Sequence, residues 1–328
     1  MKKKTNQNLN YSFLKIMTGS DLSQRRLAMM KAKSPKPGPV VWLTGCSHGD
    51  EVGGVVVIQE IFKRLRKYPL IQGELNAFPL MNPMGFEVIS RQISIGNEDL
   101  NRSFPGNKNG SLAHRIAHTI FAEITKTRPA VVLDLHNDWR SSIPYTVIDP
   151  FPGEHHREIY SLIQNFARKT GLLMIQEQGR DTEENEFQKT LSGSLMIHQI
   201  PALTLELGEA YVVNEQNVQY GVRSVWNILT HLGMTQDSAA PFAYPLLPEF
   251  QGKILRYSHK PLSASSGIIR FLANPGDPVR HRQPVARVYN AFGKLLETVT
   301  AQENGIVLGH SDSSVAYPGL PVLAFGLL

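Results

Sequence analysis

Short apolar runs and amphipathic stretches alternate along the chain from residue 39 onward. Fully apolar runs of strand length indicate strands buried on both faces, and apolar residues three or four positions apart indicate helices packed on a sheet. The predicted strands cover about 39–45, 73–80, 131–135, 172–176 and 202–207, and the predicted helices cover about 52–66, 112–125, 156–170 and 213–232. This alternation predicts an α/β fold with a mixed, largely parallel sheet flanked by helices.

The pattern changes at both ends of this region. After Gly233 comes a proline-rich stretch, 241–248, and then short β-type runs separated by turn residues, with no helical period. Residues 1–38 hold a short amphipathic stretch and run into a stiff connector of alternating prolines. We therefore expect an N-terminal extension over 1–38, a central domain over 39–240 and a small all-β domain over 241–328.

Charge and cysteine content exclude several classes of partner. The formal net charge is +6, but Lys and Arg are scattered, and no stretch interleaves them with aromatic residues as RNA-binding proteins do. No apolar run is long enough to span a bilayer, and none follows the basic first residues as in a secretory signal. The single cysteine, Cys46, excludes an internal disulfide. We expect a cytoplasmic protein without nucleic-acid or membrane partners, and the sequence leaves a homo-oligomer open.

Candidate catalytic residues follow three of the predicted strands. His48 and Glu51 follow the first strand, His136 follows 131–135, and Glu206 follows an apolar run that ends at Leu205. The ligand crevice of an open α/β sheet lies at the carboxyl ends of its strands, so these side chains are expected to converge. Two histidines and a carboxylate can hold a zinc ion with one position open, and a further carboxylate can move protons. The set predicts metal-assisted hydrolysis, although each motif alone is also typical of a helix-stabilising glutamate or a core histidine.

Polar residues that suit substrate binding lie between the first two of these sites. Arg91 and the pair Asn101 and Arg102 can bind a substrate carboxylate through charge-assisted hydrogen bonds. Asp99 can accept a hydrogen bond from the outer nitrogen of a zinc-binding histidine. The alternative interpretation is a solvated loop with ordinary surface charges.

Four motifs occur in order along the chain: Gly45-Cys-Ser-His48-Gly-Asp-Glu51, Asp99-Leu-Asn101-Arg102, Asp134-Leu-His136 and Leu205-Glu206-Leu-Gly208. Together they resemble the succinylglutamate desuccinylase/aspartoacylase family of the zinc carboxypeptidase superfamily, over about residues 38–235. The resemblance implies a zinc carboxypeptidase-like fold with one zinc ion per chain, bound by His48, Glu51 and His136. It also implies roles for further residues: Glu206 as catalytic acid/base, Arg102 and Asn101 as groups that bind the substrate or polarise its carbonyl, Arg91 as another substrate-binding arginine, and Asp99 as the group that orients His48.

The C-terminal part is similar to the β-domain that follows the catalytic unit in this family, which has a biotinyl- or lipoyl-like β-hairpin fold. A carrier lysine would need a Met-Lys-Met-like turn, and the nearest candidate, Lys294, lacks that context. We therefore interpret this domain as a cap or an assembly element.

The resemblance implies a zinc-dependent amidohydrolase, or deacylase, that cleaves an N-acyl amino acid or a related small acylated amine into a carboxylate and an amine. Aspartoacylases proper are expected to carry a further arginine before the catalytic glutamate. Residues 190–205 contain no Arg or Lys, so N-acyl amino acids other than N-acetylaspartate remain open as substrates. A zinc carboxypeptidase acting on short peptides is the main alternative, and a non-enzymatic binding protein is another. Glu209 is the alternative base to Glu206.

Overall fold

A computed structural model describes residues 8–20, 22–178, 186–236 and 240–328 of the 328-residue chain. The helices of this part are α1 (Gly53–Lys67), α2 (Pro83–Val88), α3 (Leu112–Lys126), α4 (Arg157–Thr170), α5 (Leu191–Ile197) and α6 (Glu215–His231). None of these helices is long and apolar enough to cross a membrane.

Strands make up the rest of the regular structure. Up to α6 they are β1 (Asn8–Thr18), β2 (Gln24–Lys33), β3 (Val40–Gly45), β4 (Glu74–Phe78), β5 (Val131–His136), β6 (Ser141–Ser142), β7 (Pro144–Ile148), β8 (Leu173–Gln176) and β9 (Ala202–Leu207). After α6 they are β10 (Ile254–Ser258), β11 (Gly267–Phe271), β12 (Pro278–Val279), β13 (Pro284–Tyr289), β14 (Leu295–Thr300), β15 (Gly305–His310), β16 (Val315–Ala316) and β17 (Leu323–Leu327).

Thirteen of these strands form one mixed sheet. Its order is β1-β2-β4-β3-β5-β9-β7-β8-β10-β17-β15-β12, and β6 pairs with β15. The centre of the sheet, β4-β3-β5-β9, is parallel, whereas β7 runs antiparallel to β9 and parallel to β8. The predicted fold class, a mixed sheet flanked by helices with an all-β C-terminal part, is confirmed.

Helices cover both faces of the central strands because these strands are apolar on both sides. Helices α1, α4 and α6 pack on one face, in a core that includes Ile58 and Leu133. Helices α3 and α5 pack on the other face, against a core that includes Val132. All six residues of β5 are buried, so its polar members, Asp134 and His136, must find their partners inside the protein.

Residues 8–33 form a hairpin that the prediction of an N-terminal extension did not include. β1 pairs antiparallel with β2, and β2 pairs antiparallel with β4, so the hairpin extends the central sheet by two strands. Leu27 and Ala32 of β2 are buried, but charged residues interrupt the apolar pattern around them. The short amphipathic stretch predicted in this region is therefore part of the sheet.

The strands after α6 belong to two sheets. β10 pairs in parallel with β8 and antiparallel with β17, so it continues the central sheet directly into the C-terminal part. A separate sheet has the order β14-β13-β11-β16 and shares a core with β15 and β17 that includes Val285, Val307 and Phe325. A role for this part as a cap or assembly element stays a prediction.

Gly54 sets the distance between α1 and β5. A Cβ atom at this position would lie 2.7 Å from the carbonyl oxygen of Leu135 and 2.8 Å from the Cβ of Leu135. We expect Gly54→Ala to lower the free energy of unfolding by about 1–3 kcal/mol, because the helix must move away from the strand. Chemical denaturation followed by circular dichroism measures this loss. An unchanged midpoint would contradict the close contact.

Candidate metal centre and active site

The carboxyl ends of three parallel strands place the candidate residues at one edge of the sheet. β3 ends at Gly45, and the loop after it carries His48 and Glu51 before α1 begins. His136 is the last residue of β5 and pairs in register with Glu206 of β9. Paired residues on neighbouring strands point to the same face, so the His136 and Glu206 side chains lie side by side.

The side chains of two histidines and one glutamate share a small buried space. Nδ1 of His48 is 2.6 Å from Oε1 of Glu51, and Nδ1 of His136 is 2.8 Å from Oε2 of the same carboxylate. One ligand atom from each of these residues lies within 4.8 Å of the other two. The structure thus brings together the three residues predicted to bind zinc.

A carboxylate fixes the outer nitrogen of each imidazole. Asp99 Oδ1 is 3.1 Å from His48 Nε2, and Asp134 Oδ2 is 2.8 Å from His136 Nε2. The Thr44 hydroxyl donates a hydrogen bond to the other oxygen of Asp134 at 2.6 Å. An Nε2–H group that donates to a carboxylate leaves the Nδ1 lone pair free, as in metal-binding histidines. The predicted contact between Asp99 and His48 is therefore present.

The charges around these side chains suit a cation. Burial alone would lower the pKa of His136, but the carboxylates of Asp134 and Glu51 raise it well above its usual value. Burial alone would raise the pKa of Glu51, but the imidazoles of His48 and His136 lower it far below its usual value. The Glu51 carboxylate thus places negative charge beside both Nδ1 atoms, and the carboxylates of Asp99 and Asp134 place it beside the Nε2 atoms. Two imidazole nitrogens and a carboxylate oxygen form a donor set that fits a divalent transition metal.

Glu206 has the surroundings of a carboxyl group that transfers protons. Its Oε2 atom is buried and has no hydrogen-bond partner among the described residues. Burial raises the pKa of Glu206 well above its usual value, the carboxylate of Asp138 adds to this rise, and His136 opposes it. A carboxyl group of this kind can hold a proton near neutral pH, which an exposed glutamate does not do.

The predicted substrate-binding residues lie at different depths. Arg91 is half exposed, and one of its guanidinium nitrogens lies 3.6 Å from Oε1 of Glu51. Asn101 is buried, and its side-chain oxygen accepts a hydrogen bond from the backbone N–H of Leu191 at 2.9 Å. Arg102 is exposed and donates a hydrogen bond to the carbonyl oxygen of Asn101 at 2.8 Å. Arg91 thus reaches the metal centre, and Asn101 holds the first residue of α5.

Cys46 belongs to the turn that carries His48. It has a left-handed backbone conformation (φ 54°), and its thiol donates a hydrogen bond to the carbonyl oxygen of His48 at 3.2 Å. Burial and the charge of Glu51 raise the pKa of Cys46 to about 12, so the thiol stays protonated. A protonated thiol is a poor metal ligand, in agreement with the interpretation of Cys46 as a small residue of a tight loop.

Some residues at the site were not predicted from the motifs. Asp134 lies two positions before His136 on β5 and is hydrogen-bonded to its Nε2 atom. The contact forms because alternate residues of a strand point to the same face. The backbone N–H of Asn137 donates to Glu51 Oε2 at 3.2 Å, and its side-chain oxygen accepts from the backbone N–H of Gly53 at 2.9 Å. The spacing of Asp134 and His136 was a usable signal in the sequence. Nothing local in the sequence marks Asn137.

Comparison with known proteins decides the family. The succinylglutamate desuccinylase/aspartoacylase catalytic domain matches residues 37–232. The chain belongs to this family. The matched region contains the centre of the sheet and every candidate site residue, so the resemblance seen in the motifs is confirmed.

Individual relatives extend the similarity beyond the family domain. The N-alpha-acetyl-L-2,4-diaminobutyric acid deacetylase of Halomonas elongata is 27% identical over 289 residues, which cover 86% of this chain and 80% of the relative. The solved structure of a succinylglutamate desuccinylase/aspartoacylase from Rhodobacter sphaeroides has a TM-score of 0.81 at 19% identity, covering 99% of this chain and 97% of that one. A metallo-carboxypeptidase from Burkholderia cenocepacia has a TM-score of 0.54 at 17% identity, covering 68% and 65%. The fold of the family therefore extends along the whole chain, and the carboxypeptidase fold is shared over about two thirds of it.

Proposed function

We propose that this protein is a zinc-dependent deacylase that hydrolyses the amide bond of an N-acyl amino acid to a carboxylate and an amine. The proposal depends on one placement above all: the buried Oε2 of Glu206, which has no hydrogen-bond partner among the described residues, lies beside the cluster of His48, Glu51 and His136. Glu206 of β9 is paired with His136 of β5. Amide hydrolysis needs a Lewis acid that polarises the carbonyl and the water, and a group that carries a proton. The metal-binding cluster and Glu206 can supply these two functions. Membership of the family and the deacetylase activity named for the Halomonas elongata relative support it.

The proposed zinc ligands are His48 and His136 through Nδ1 and Glu51 through its carboxylate. Zinc favours such nitrogen and oxygen ligands, and catalytic sites with three protein ligands keep one position for a small molecule. The ion, when bound, supplies Lewis-acid polarisation of a water molecule and of the amide carbonyl. Asp99 and Asp134 keep each imidazole in the tautomer that presents Nδ1 to the ion.

Glu206 carries the proton between the two halves of the proposed reaction. Its unpartnered Oε2 accepts a proton from the attacking water, and the raised pKa of the carboxyl group lets it hold this proton until the amide bond breaks. The same carboxyl group then donates the proton to the amide nitrogen, so that a neutral amine leaves. General acid–base catalysis of this kind contributes about 10²- to 10⁴-fold in rate.

Three polar residues are proposed to bind the substrate. Arg91 combines a half-exposed guanidinium with a position next to Glu51, which suits it to pair with the carboxylate of the amino acid. Arg102 is proposed to bind the substrate and polarise its carbonyl after a movement of its exposed side chain, with Asn101 beside it.

A direct assay tests this function. We expect zinc-loaded protein to release free amine from N-acetyl amino acids and to lose this activity after chelation, with recovery on addition of zinc. Liquid chromatography with mass spectrometry measures amine release from N-acetyl amino acids and from C-terminal dipeptides. The rates for the two substrate classes are then compared. Faster cleavage of the dipeptides would favour a carboxypeptidase. Zinc-replete protein that cleaves neither class would contradict the proposal.

A further inference from the structure

Residues 137–143 connect the end of β5 to β7 and are called the connecting segment below. One side of this segment is bound to the chain directly after β9. The backbone N–H of Asp138 donates a hydrogen bond to the carbonyl oxygen of Gly208 at 3.1 Å, and the backbone N–H of Ala210 donates to the carbonyl oxygen of Trp139 at 2.9 Å. The first half of the connecting segment therefore has a fixed position relative to β9.

Asn137 joins the connecting segment to the candidate metal centre. Its backbone N–H donates to Glu51 Oε2 at 3.2 Å, and its side-chain oxygen accepts from the backbone N–H of Gly53 at 2.9 Å. The side-chain amide of Asn137 donates to the carbonyl oxygens of Gly208 at 3.2 Å and of Glu209 at 2.9 Å. Asn137 thus holds the carboxylate that lies between the two imidazoles, so a shift of the connecting segment also shifts Glu51.

The other side of the connecting segment is bound to the C-terminal part. β6, which belongs to the segment, pairs antiparallel with β15. The backbone N–H of Ile143 donates to the carbonyl oxygen of Leu308 at 2.9 Å. The backbone N–H of Arg140 donates to Oδ1 of Asp312 at 2.7 Å, and Asp312 lies in the loop between β15 and β16. A carboxylate accepts a stronger hydrogen bond than a neutral oxygen does, so the contact to Asp312 is the stronger of these two.

The backbone conformation of Trp139 requires contacts of this kind. Its φ angle of 37° is left-handed, a conformation that costs free energy for a residue with a Cβ atom and persists where the surroundings fix it. Gly309 of β15 leaves the space for this arrangement. A Cβ atom at Gly309 would lie 2.9 Å from Cδ1 of Trp139 and 3.1 Å from the carbonyl oxygen of Ser141. The C-terminal part therefore fits closely around Trp139 and the residues after it.

We infer that Asp312 and Gly309 are positioning residues of the active site, because they hold the connecting segment in the place where Asn137 fixes Glu51. The C-terminal part then sets the geometry of the metal centre in addition to extending the sheet. A displacement of about 1 Å at an active site can lower the rate about 100-fold, so a small relaxation of the segment has a measurable effect. The kinetic part of this inference rests on the proposed deacylase function, whereas its structural part does not.

Asp312→Ala tests the inference by removing the acceptor of the Arg140 N–H group. In the zinc-loaded protein we expect faster hydrogen–deuterium exchange across residues 137–143, beyond the Arg140 amide itself, as measured by mass spectrometry. We expect kcat on the best N-acyl amino acid to fall by about 10-fold with little change in KM, as for the loss of a hydrogen bond to a charged group. Titration with a competing chelator should show a zinc affinity that is lower by about 10-fold, because Glu51 is less firmly held.

Further variants separate the position of the segment from other effects of this change. Asp312→Asn keeps an Oδ1 acceptor and should restore most of the exchange protection and of kcat. Gly309→Ala leaves Asp312 in place but pushes against Trp139, so it should also speed the exchange and lower kcat. Glu303→Ala is the matched control, because Glu303 forms an exposed ion pair with Arg256 in the same part of the chain. It should leave the exchange of the connecting segment, the zinc affinity and kcat unchanged.

The outcomes distinguish this inference from the proposed function. Faster exchange and weaker zinc binding in Asp312→Ala, both restored in Asp312→Asn, support the inference even in a protein that hydrolyses no N-acyl amino acid. In that case the deacylase proposal alone fails. Unchanged exchange of residues 137–143 in Asp312→Ala overturns the inference, whatever the activity. Faster exchange or a lower denaturation midpoint without a change in zinc affinity and kcat also overturns it, because Asp312 then only attaches the C-terminal part.

Discussion

Glu206→Gln is expected to keep the metal and to lower kcat by about 10²- to 10⁴-fold on the best N-acyl amino acid substrate. Glutamine has the shape of glutamate but cannot take up and return the proton. The buried Oε2 of Glu206 has no hydrogen-bond partner among the described residues, so the substitution removes no structural contact of this atom. Steady-state kinetics together with elemental analysis of the purified variant measure the two effects separately. Loss of the metal along with the activity would contradict a purely proton-carrying role.

Glu209→Gln is the matched comparison, because Glu209 is the other carboxylate in the same segment. Its oxygens accept hydrogen bonds from the Asn217 side chain at 2.6 Å and from the Asn214 side chain at 3.2 and 3.3 Å. These contacts tie Glu209 to the start of α6, so its replacement should change kcat far less than Glu206→Gln. A larger loss in Glu209→Gln would transfer the role of base to Glu209.

Glu51→Ala is expected to release the metal and to abolish hydrolysis. Both imidazole Nδ1 atoms lie against the Glu51 carboxylate, and its removal deletes a proposed ligand together with the negative charge of the centre. Removal of an outer hydrogen-bond partner of a metal ligand already lowers metal affinity by about 10- to 100-fold, and the loss of a ligand should exceed this. Titration with a competing chelator measures the affinity, and circular dichroism checks that the fold persists.

Glu60→Ala is a suitable control for the loss of one glutamate in this region. Glu60 lies on α1, and its carboxylate pairs with Lys63 at 2.9 Å on the protein surface. This variant should bind zinc as the wild type does. A Glu51→Ala protein that still binds one zinc ion per chain with unchanged affinity would show that the proposed ligand set is wrong.

The central elements could be predicted because their physical signals are local. β3, β5 and β9 are apolar runs, and the helix predicted over 156–170 is observed at Arg157–Thr170. β7 was not predicted, because a short strand that reverses direction between β9 and β8 leaves no periodic signal of its own. The strands β1 and β2 were not predicted either. Charged side chains interrupt the apolar pattern of β2, and the apolar positions of β1 change from 9, 11 and 13 to 14 and 16.

The site could be predicted to a similar extent. His48 and His136 follow buried strands, and this position alone suggested that they meet. The residue that binds Asp134 in turn depends on strand register, which a single sequence does not reveal. Thr44 reaches Asp134 because β3 and β5 pair with these two residues opposite each other. Tyr145 lies beside Glu206 because β7 turns back along β9.

The position of β10 has a consequence for any attempt to work with the family domain by itself. β8 is paired with β7 on one side and with β10 on the other. A fragment that stopped after α6 would leave the second side of β8 open, and an open row of backbone N–H and C=O groups invites aggregation. We therefore expect the C-terminal strands to prevent self-association of the family domain through β8, so the proposed chemistry should be studied in the intact polypeptide.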